Sequence, residues 1–107
     1  MENPIAIVRV TAFLRYLELE KNSSLLTIQN YETDIRLFIA FLQNRVGTVT
    51  WENVTVLDIR AYLALMNNEK YARRTIARRI SSLRSFYRFL MRQNFARSNP
   101  FTKIKTQ

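Results

Sequence analysis

Arg73-Arg74-Thr75-Ile76-Ala77-Arg78-Arg79-Ile80-Ser81-Ser82-Leu83-Arg84-Ser85-Phe86-Tyr87-Arg88-Phe89-Leu90 is the most strongly patterned stretch of the chain. Indexed at about 100° per residue, Ile76, Ile80, Leu83, Tyr87 and Leu90 fall within about 80° of one another, with Phe86 at the margin. That is the arc a helix buries. The opposite side carries Arg74, Arg78, Ser81, Ser85, Arg88 and Arg92, with Arg73, Arg79 and Arg84 on the flanks. The spacing predicts a helix from about Arg73 to Gln93 with one apolar and one cationic face.

The charge around this helix has a single sign. Of 17 Lys plus Arg and 8 Asp plus Glu in 107 residues, every acid lies at or before Glu69, whereas the last 38 residues hold eleven basic groups and no acid. Like charges one helical turn apart, such as Arg74 with Arg78 or Arg88 with Arg92, cost a few tenths of a kcal/mol each, roughly, with no acidic relief. A folded segment of one sign points to a polyanionic partner. Nucleic acid leads and an anionic membrane surface comes second.

Outward from that helix, three more are predicted. Ala6, Val10, Phe13 and Leu17 recur at helical steps between Ile5 and about Lys21. Ser24 is the predicted N-cap of a second helix over about Leu25 to Arg45, with Ile28, Tyr31, Ile35, Phe38, Ile39 and Leu42 on its apolar stripe. Its far side is polar, with Gln29, Asn30, Thr33, Arg36 and Asn44 around Ala40, and Leu37 and Phe41 lie near the edge. Val46-Gly47-Thr48 ends it, and Trp51 is expected to anchor the following connection to the core. Thr55 and Asp58 stand three apart as in a capping box, opening a third helix that buries Ile59, Tyr62, Leu63 and Met66 and closes at Asn67-Asn68. A short final turn or helix is expected over Phe95 to Ser98, and Phe101 to Gln107 reads as the start of a linker after Asn99-Pro100.

Composition supports an all-α reading and removes several chemistries. One Gly and two Pro leave little turn material for a meander of strands. With no Cys and no His there is no disulfide, thiolate, imidazole base or imidazole ligand. The longest apolar run, Leu37 to Leu42, is far short of the roughly 18 residues of a membrane span, and the N-terminus shows no signal-peptide pattern. The acidic pairs Glu18 with Glu20 and Glu32 with Asp34 diverge by about 200° on a helix, so neither forms a metal or acid/base site. Tyr16, Tyr31, Tyr62 and Tyr87 map to apolar stripes and read as core. Nothing reads as catalytic, and no cofactor or metal is expected.

The binding candidates lie on the two polar helix faces. Arg offers forked donors that fit phosphate oxygens and the O6/N7 edge of guanine, while Ser permits close approach of the helix backbone. Arg74, Arg78, Ser81, Arg84 and Arg88 are therefore candidate DNA contacts. Gln29, Asn30 and Thr33 either read bases or phosphates or simply face solvent. Thr27 near a helix N-terminus holds a phosphate or serves the cap, and Tyr71 contacts a phosphate or packs its loop.

The residues from Arg73 to Leu90 resemble the last long helix of the N-terminal core-binding domain of tyrosine recombinases of the Xer type, the XerC branch in particular. Further agreement comes from Phe13-Leu14, Leu17-Glu18 and Glu20-Lys21, from Thr27, Tyr31, Asp34 and Phe38 to Leu42, from Val54-Thr55, Asp58-Ile59 and Tyr62-Leu63, and from Asn99-Pro100. Where the family often has Gly-Leu-Ser-Pro before the second helix and Ser before the double Arg, this chain has Asn22-Ser23-Ser24-Leu25 and Ala72. The resemblance implies a SAM-like bundle of four to five helices over residues 1–100. Such a domain clamps one face of duplex DNA at a recombination half-site, with its second and fourth helices at the major groove. It assigns DNA contact to Thr27, Gln29, Asn30, Thr33, Arg74, Arg78, Ser81, Arg84 and Arg88. The family's catalytic set belongs to a separate C-terminal domain that this chain does not contain, so the chain alone is expected not to be an enzyme and to continue beyond Gln107 in the full protein. The implied setting is the bacterial cytoplasm, with chromosome dimer resolution or phage or transposon integration as the process. The implied partners are duplex DNA and other recombinase protomers, four on paired sites, with the isolated domain monomeric and no membrane partner.

Two other classes compete. One is a protein-interaction module in which Leu37, Phe41 and Phe89 form an exposed apolar patch. The other is a membrane-surface helix, which requires the apolar face of the fourth helix to be free.

Overall fold

Ser24 shows how the chain sets its own helix boundaries. In the computed structural model, which describes residues 4–105, the Ser24 hydroxyl oxygen accepts the Thr27 backbone N–H at 3.1 Å, capping helix α2, Leu25–Val46. Thr55 does the same for α3, Val56–Asn68: its hydroxyl oxygen accepts from the Asp58 N–H at 3.2 Å. The Asp58 carboxylate accepts from the Thr55 N–H at 2.9 Å, which completes the capping box. Helix α1 is Pro4–Leu19 and α4 is Arg73–Arg92, the latter starting at Ala72 without any side-chain cap. No strand occurs among the described residues, so the all-α expectation holds.

Among the described residues, four past helix ends have positive φ, and one of them is glycine. Gly47 has φ 86 at the end of α2 and its N–H reaches the Gln43 carbonyl. Lys70 (φ 62) and Asn94 (φ 61) follow α3 and α4. Beyond each, a backbone N–H bonds back five residues, Tyr71 to Met66 at 3.1 Å and Phe95 to Leu90 at 2.8 Å, in the Schellman pattern.

The chain divides into two compact units, Met1–Thr50 and Trp51–Gln107. In the first, α1 packs on α2. Phe13 meets Tyr31 edge to face at 5.4 Å, and Ala6, Val10, Phe13 and Leu17 are buried, as are Ile35, Phe38, Ile39 and Leu42. These are the predicted stripes, with Ile28 and Tyr31 only half-buried. Asp34, unassigned by the periodicity, is also buried.

The second unit is built around α4. Ile76, Ile80, Leu83, Phe86, Tyr87 and Leu90 are buried, as are Ile59, Tyr62 and Met66 of α3. Trp51 anchors the connection as expected, but within a 3-10 turn, Trp51–Asn53, that the sequence did not suggest. Its ring lies 4.9 Å from Phe86 and 6.1 Å from Tyr87, and the Tyr87 hydroxyl donates to the Trp51 carbonyl.

Three expectations need correction. Phe89, placed on an exposed apolar patch with Leu37 and Phe41, is only 4 % exposed. The buried arc of α4 is wider than its apolar stripe: it extends past Phe86 to Ser82 and Phe89, about 40° and 60° further round. Leu37 is partly exposed and Phe41 half-buried, stacked 6.1 Å from Phe38. The turn expected over Phe95 to Ser98 lies later, over residues 100–103. Residues 101–105, expected as linker, fold back on this unit with Phe101 and Ile104 buried; Thr106 and Gln107 lie outside the described residues.

Candidate nucleic-acid interface

Because α4 buries one half of its circumference, its other half is set by elimination. Arg74, Arg78, Ser81, Arg88 and Arg92 are all exposed, and at about 100° per residue they lie within some 80° of one another. The small Ser81 and half-buried Ser85 sit at the middle of this face with arginines toward both ends. Arg88 is oriented by an Nη2–H bond to the Ser85 hydroxyl at 3.1 Å. Such a row has forked donors at its ends and a low centre through which the helix backbone can approach a polyanion.

Two cationic residues at the flanks are engaged elsewhere. Arg84 is part-buried: Nε donates to the Phe101 carbonyl at 3.2 Å and Nη2 to the Ile104 carbonyl at 2.7 Å. It was predicted as a DNA contact and is instead bonded to the chain's own C-terminal segment. Arg79 lies over the Tyr71 ring, 4.3 Å from the centroid, and its buried Nε has no hydrogen-bond partner. Tyr71 thereby packs its loop. Loop packing is one of the two roles expected for Tyr71, but its Arg79 partner and the docking of Arg84 were missed, although Phe101 and Ile104, three apart after Asn99-Pro100, carried the spacing of a docked turn.

On α2, Gln29, Asn30 and Thr33 are exposed, together with Arg36, Ala40 and Asn44. Arg36 is paired with Glu32 at 3.0 Å, an exposed bridge of little energetic weight. Thr27 is exposed but lies about 160° round the axis from Gln29, so the four α2 candidates spread over an arc rather than forming one row. The Thr27 hydroxyl accepts from the Ser24 hydroxyl at 2.9 Å, which ties it to the cap.

Among the described residues no three His, Cys, Asp or Glu side chains gather as metal ligands, and no helix is long and apolar enough to cross a membrane. The apolar face of α4 is buried, so it offers no free stripe to lipid. The hydroxyl of Tyr87 is held well above the ordinary tyrosine range, first by burial and then by the Asp58 carboxylate, the opposite of an activated nucleophile.

Comparison with known proteins agrees with this architecture. The family model described as phage integrase, N-terminal SAM-like domain, matches residues 10–94. The protein called tyrosine recombinase XerC in Listeria monocytogenes serotype 4a (strain HCC23) is 47 % identical over 92 residues, covering 86 % of this chain and 30 % of that relative. Those of the same name in Halalkalibacterium halodurans and Oceanobacillus iheyensis are 44 % identical over 97 residues and 39 % over 95, covering 91 % and 89 % of this chain. The chain thus spans about a third of the length of these relatives, 32 % and 31 % respectively. No solved structure matches it. With the matched region running from within α1 to just beyond the end of α4, the chain belongs to the phage integrase N-terminal SAM-like domain family.

Proposed function

We propose that this chain is the core-binding domain of a site-specific tyrosine recombinase and that it grips duplex DNA at a recombination half-site through α4, with the polar side of α2 contributing. The observation that carries the reading is the exposed row Arg74, Arg78, Ser81 and Arg88, in a segment without a carboxylate after Glu69. Arginines at both ends neutralise phosphates, and the serine centre permits close approach. Gln29, Asn30 and Thr33 supply amide and hydroxyl groups able to read base edges, and Thr27 a hydroxyl for a phosphate at the helix start.

In this reading, strand cleavage belongs to another part of the full-length protein. The other partners are further recombinase protomers on paired sites, and the setting is the bacterial cytoplasm. Chromosome dimer resolution is the first process in this reading, with phage or transposon integration as the second.

The test is binding of the chain to a Xer-type half-site duplex and to a scrambled duplex of equal length, followed by fluorescence anisotropy across a salt series. Each neutralised phosphate adds about 0.9 to the steepness of log affinity against log salt, so the exposed Arg74, Arg78, Arg88 and Arg92 by themselves contribute about −3 to −4 to the slope. Tighter binding of the half-site is the expected result. A salt-independent affinity would overturn the reading.

A further inference from the structure

Arg84 and Asn99 tie the end of the described chain to the middle of α4 in both directions. The Arg84 guanidinium donates to the carbonyls of Phe101 and Ile104 at 3.2 and 2.7 Å. Asn99 answers from the other side: its Nδ2 donates to the Arg84 carbonyl at 3.3 Å while its Oδ1 accepts from the Phe101 N–H at 3.0 Å. The turn between them closes on itself, with the Thr102 N–H bonded to the Asn99 carbonyl at 3.2 Å and the Ile104 N–H to the Phe101 carbonyl at 3.1 Å. Phe101 is fully buried with its ring 5.5 Å from Tyr87, and Ile104 is buried beside it in sequence register.

What this leaves outside is basic. Lys103 and Lys105 are exposed, in a segment that has no acid of its own. On the α4 wheel, Arg84 stands about 40° from buried Ile80 on one side and about 40° and 60° from Arg88 and Ser81 on the other, so the docked segment, anchored by Phe101 on the buried side, also borders the exposed cationic row. A lysine on a loose tail must be ordered when it meets a phosphate; one on a turn already held by six hydrogen bonds and two buried side chains loses less freedom.

Building on the duplex-DNA reading above, we infer that residues 99–105 form a basic clip that widens the anion-binding face of α4. Lys103 and Lys105 are further phosphate contacts, and Arg84 is the positioning residue that holds them there. This gives Arg84 a part in binding without its touching DNA, and it makes the segment a working piece of the interface instead of an exit.

The experiment uses the whole chain and the same half-site duplex, with the salt slope as readout. The double variant Lys103→Ala/Lys105→Ala should lower the slope by about 1.8, from two phosphates at about 0.9 each, with an unchanged thermal melt. In an Arg84→Gln background the same pair of substitutions should lose more than half of that effect, because the lysines are no longer held in place. If Arg84→Gln does not fold, Asn99→Ala loosens the same tie and serves in its place. A wild-type chain that binds with a steep slope while the lysine variant keeps that slope overturns the clip and leaves the DNA reading standing. An undiminished lysine effect in the Arg84→Gln background overturns the positioning role. A wild-type chain that binds neither duplex at low salt overturns both the clip and the reading on which it rests.

Discussion

The guanidinium of Arg79 lies over the ring of Tyr71, 4.3 Å from its centroid, while its buried Nε has no hydrogen-bond partner. This contact pins the loop before α4 to the helix it precedes. Tyr71→Phe keeps the ring and should leave stability within experimental error. Tyr71→Leu should cost about 0.5–1 kcal/mol in urea denaturation. A larger loss for Tyr71→Phe than for Tyr71→Leu would show that the hydroxyl, not the ring, holds the loop.

Lys70 turns the chain between α3 and α4 with φ 62, a conformation that side chains other than glycine and asparagine rarely adopt. Removing its Cβ relieves that strain, partly offset by the greater freedom of glycine in the unfolded chain. Lys70→Gly should therefore stabilise by about 0.5–1 kcal/mol, seen as a higher urea midpoint with an unchanged m-value. Asn94, in the same conformation after α4, should gain less from the same change.

Tyr87 donates its buried hydroxyl to the Trp51 carbonyl, joining α4 to the 3-10 turn. Tyr87→Phe leaves that carbonyl unpaired and should cost about 1–3 kcal/mol. The pH dependence has a definite sign. Burial, and then the Asp58 carboxylate, raise the folded-state pKa of Tyr87 above that of an unfolded tyrosine, near 10. The stabilisation is therefore fully present below about pH 10 and falls by up to ~1.4 kcal/mol per unit as pH rises further, since only the unfolded chain releases the proton. Denaturation at a series of alkaline pH values should show this fall in the wild type and lose that component in Tyr87→Phe.

Arg78 sits on the exposed side of α4, so Arg78→Ala should change stability by no more than about 0.5 kcal/mol. Its effect belongs in binding. Duplex affinity should drop and the salt slope should shrink by about 0.9. Unchanged affinity and slope at low salt would remove Arg78 from the interface.

Much of this fold is legible because its helix ends are written in short-range chemistry. Ser24, the Thr55 and Asp58 pair and Gly47 mark boundaries that the structure reproduces within one or two residues. The apolar stripes were equally readable, since Val10, Phe13 and Leu17 or Ile76, Ile80 and Leu83 fall at a fixed period. What escaped depends on contacts distant in sequence. Nothing local to Phe89 or Ser82 says that the flank of α4 beyond Phe86 is buried as well, which widens the arc beyond one stripe. Arg84 reads as one more cation on a basic helix until Phe101 and Ile104 fold back to it from 17 and 20 residues away. The exposed arginines were readable because they follow the same period as the core, in opposite phase.

The most direct test of the central claim is an amide-shift titration of the isotope-labelled chain with a Xer-type half-site duplex and a scrambled duplex, at two salt concentrations. Shifts are expected to concentrate at Arg74, Arg78, Ser81 and Arg88 of α4 and at Gln29, Asn30 and Thr33 of α2, larger for the half-site and reduced at the higher salt. No shifts with either duplex at low salt would contradict it.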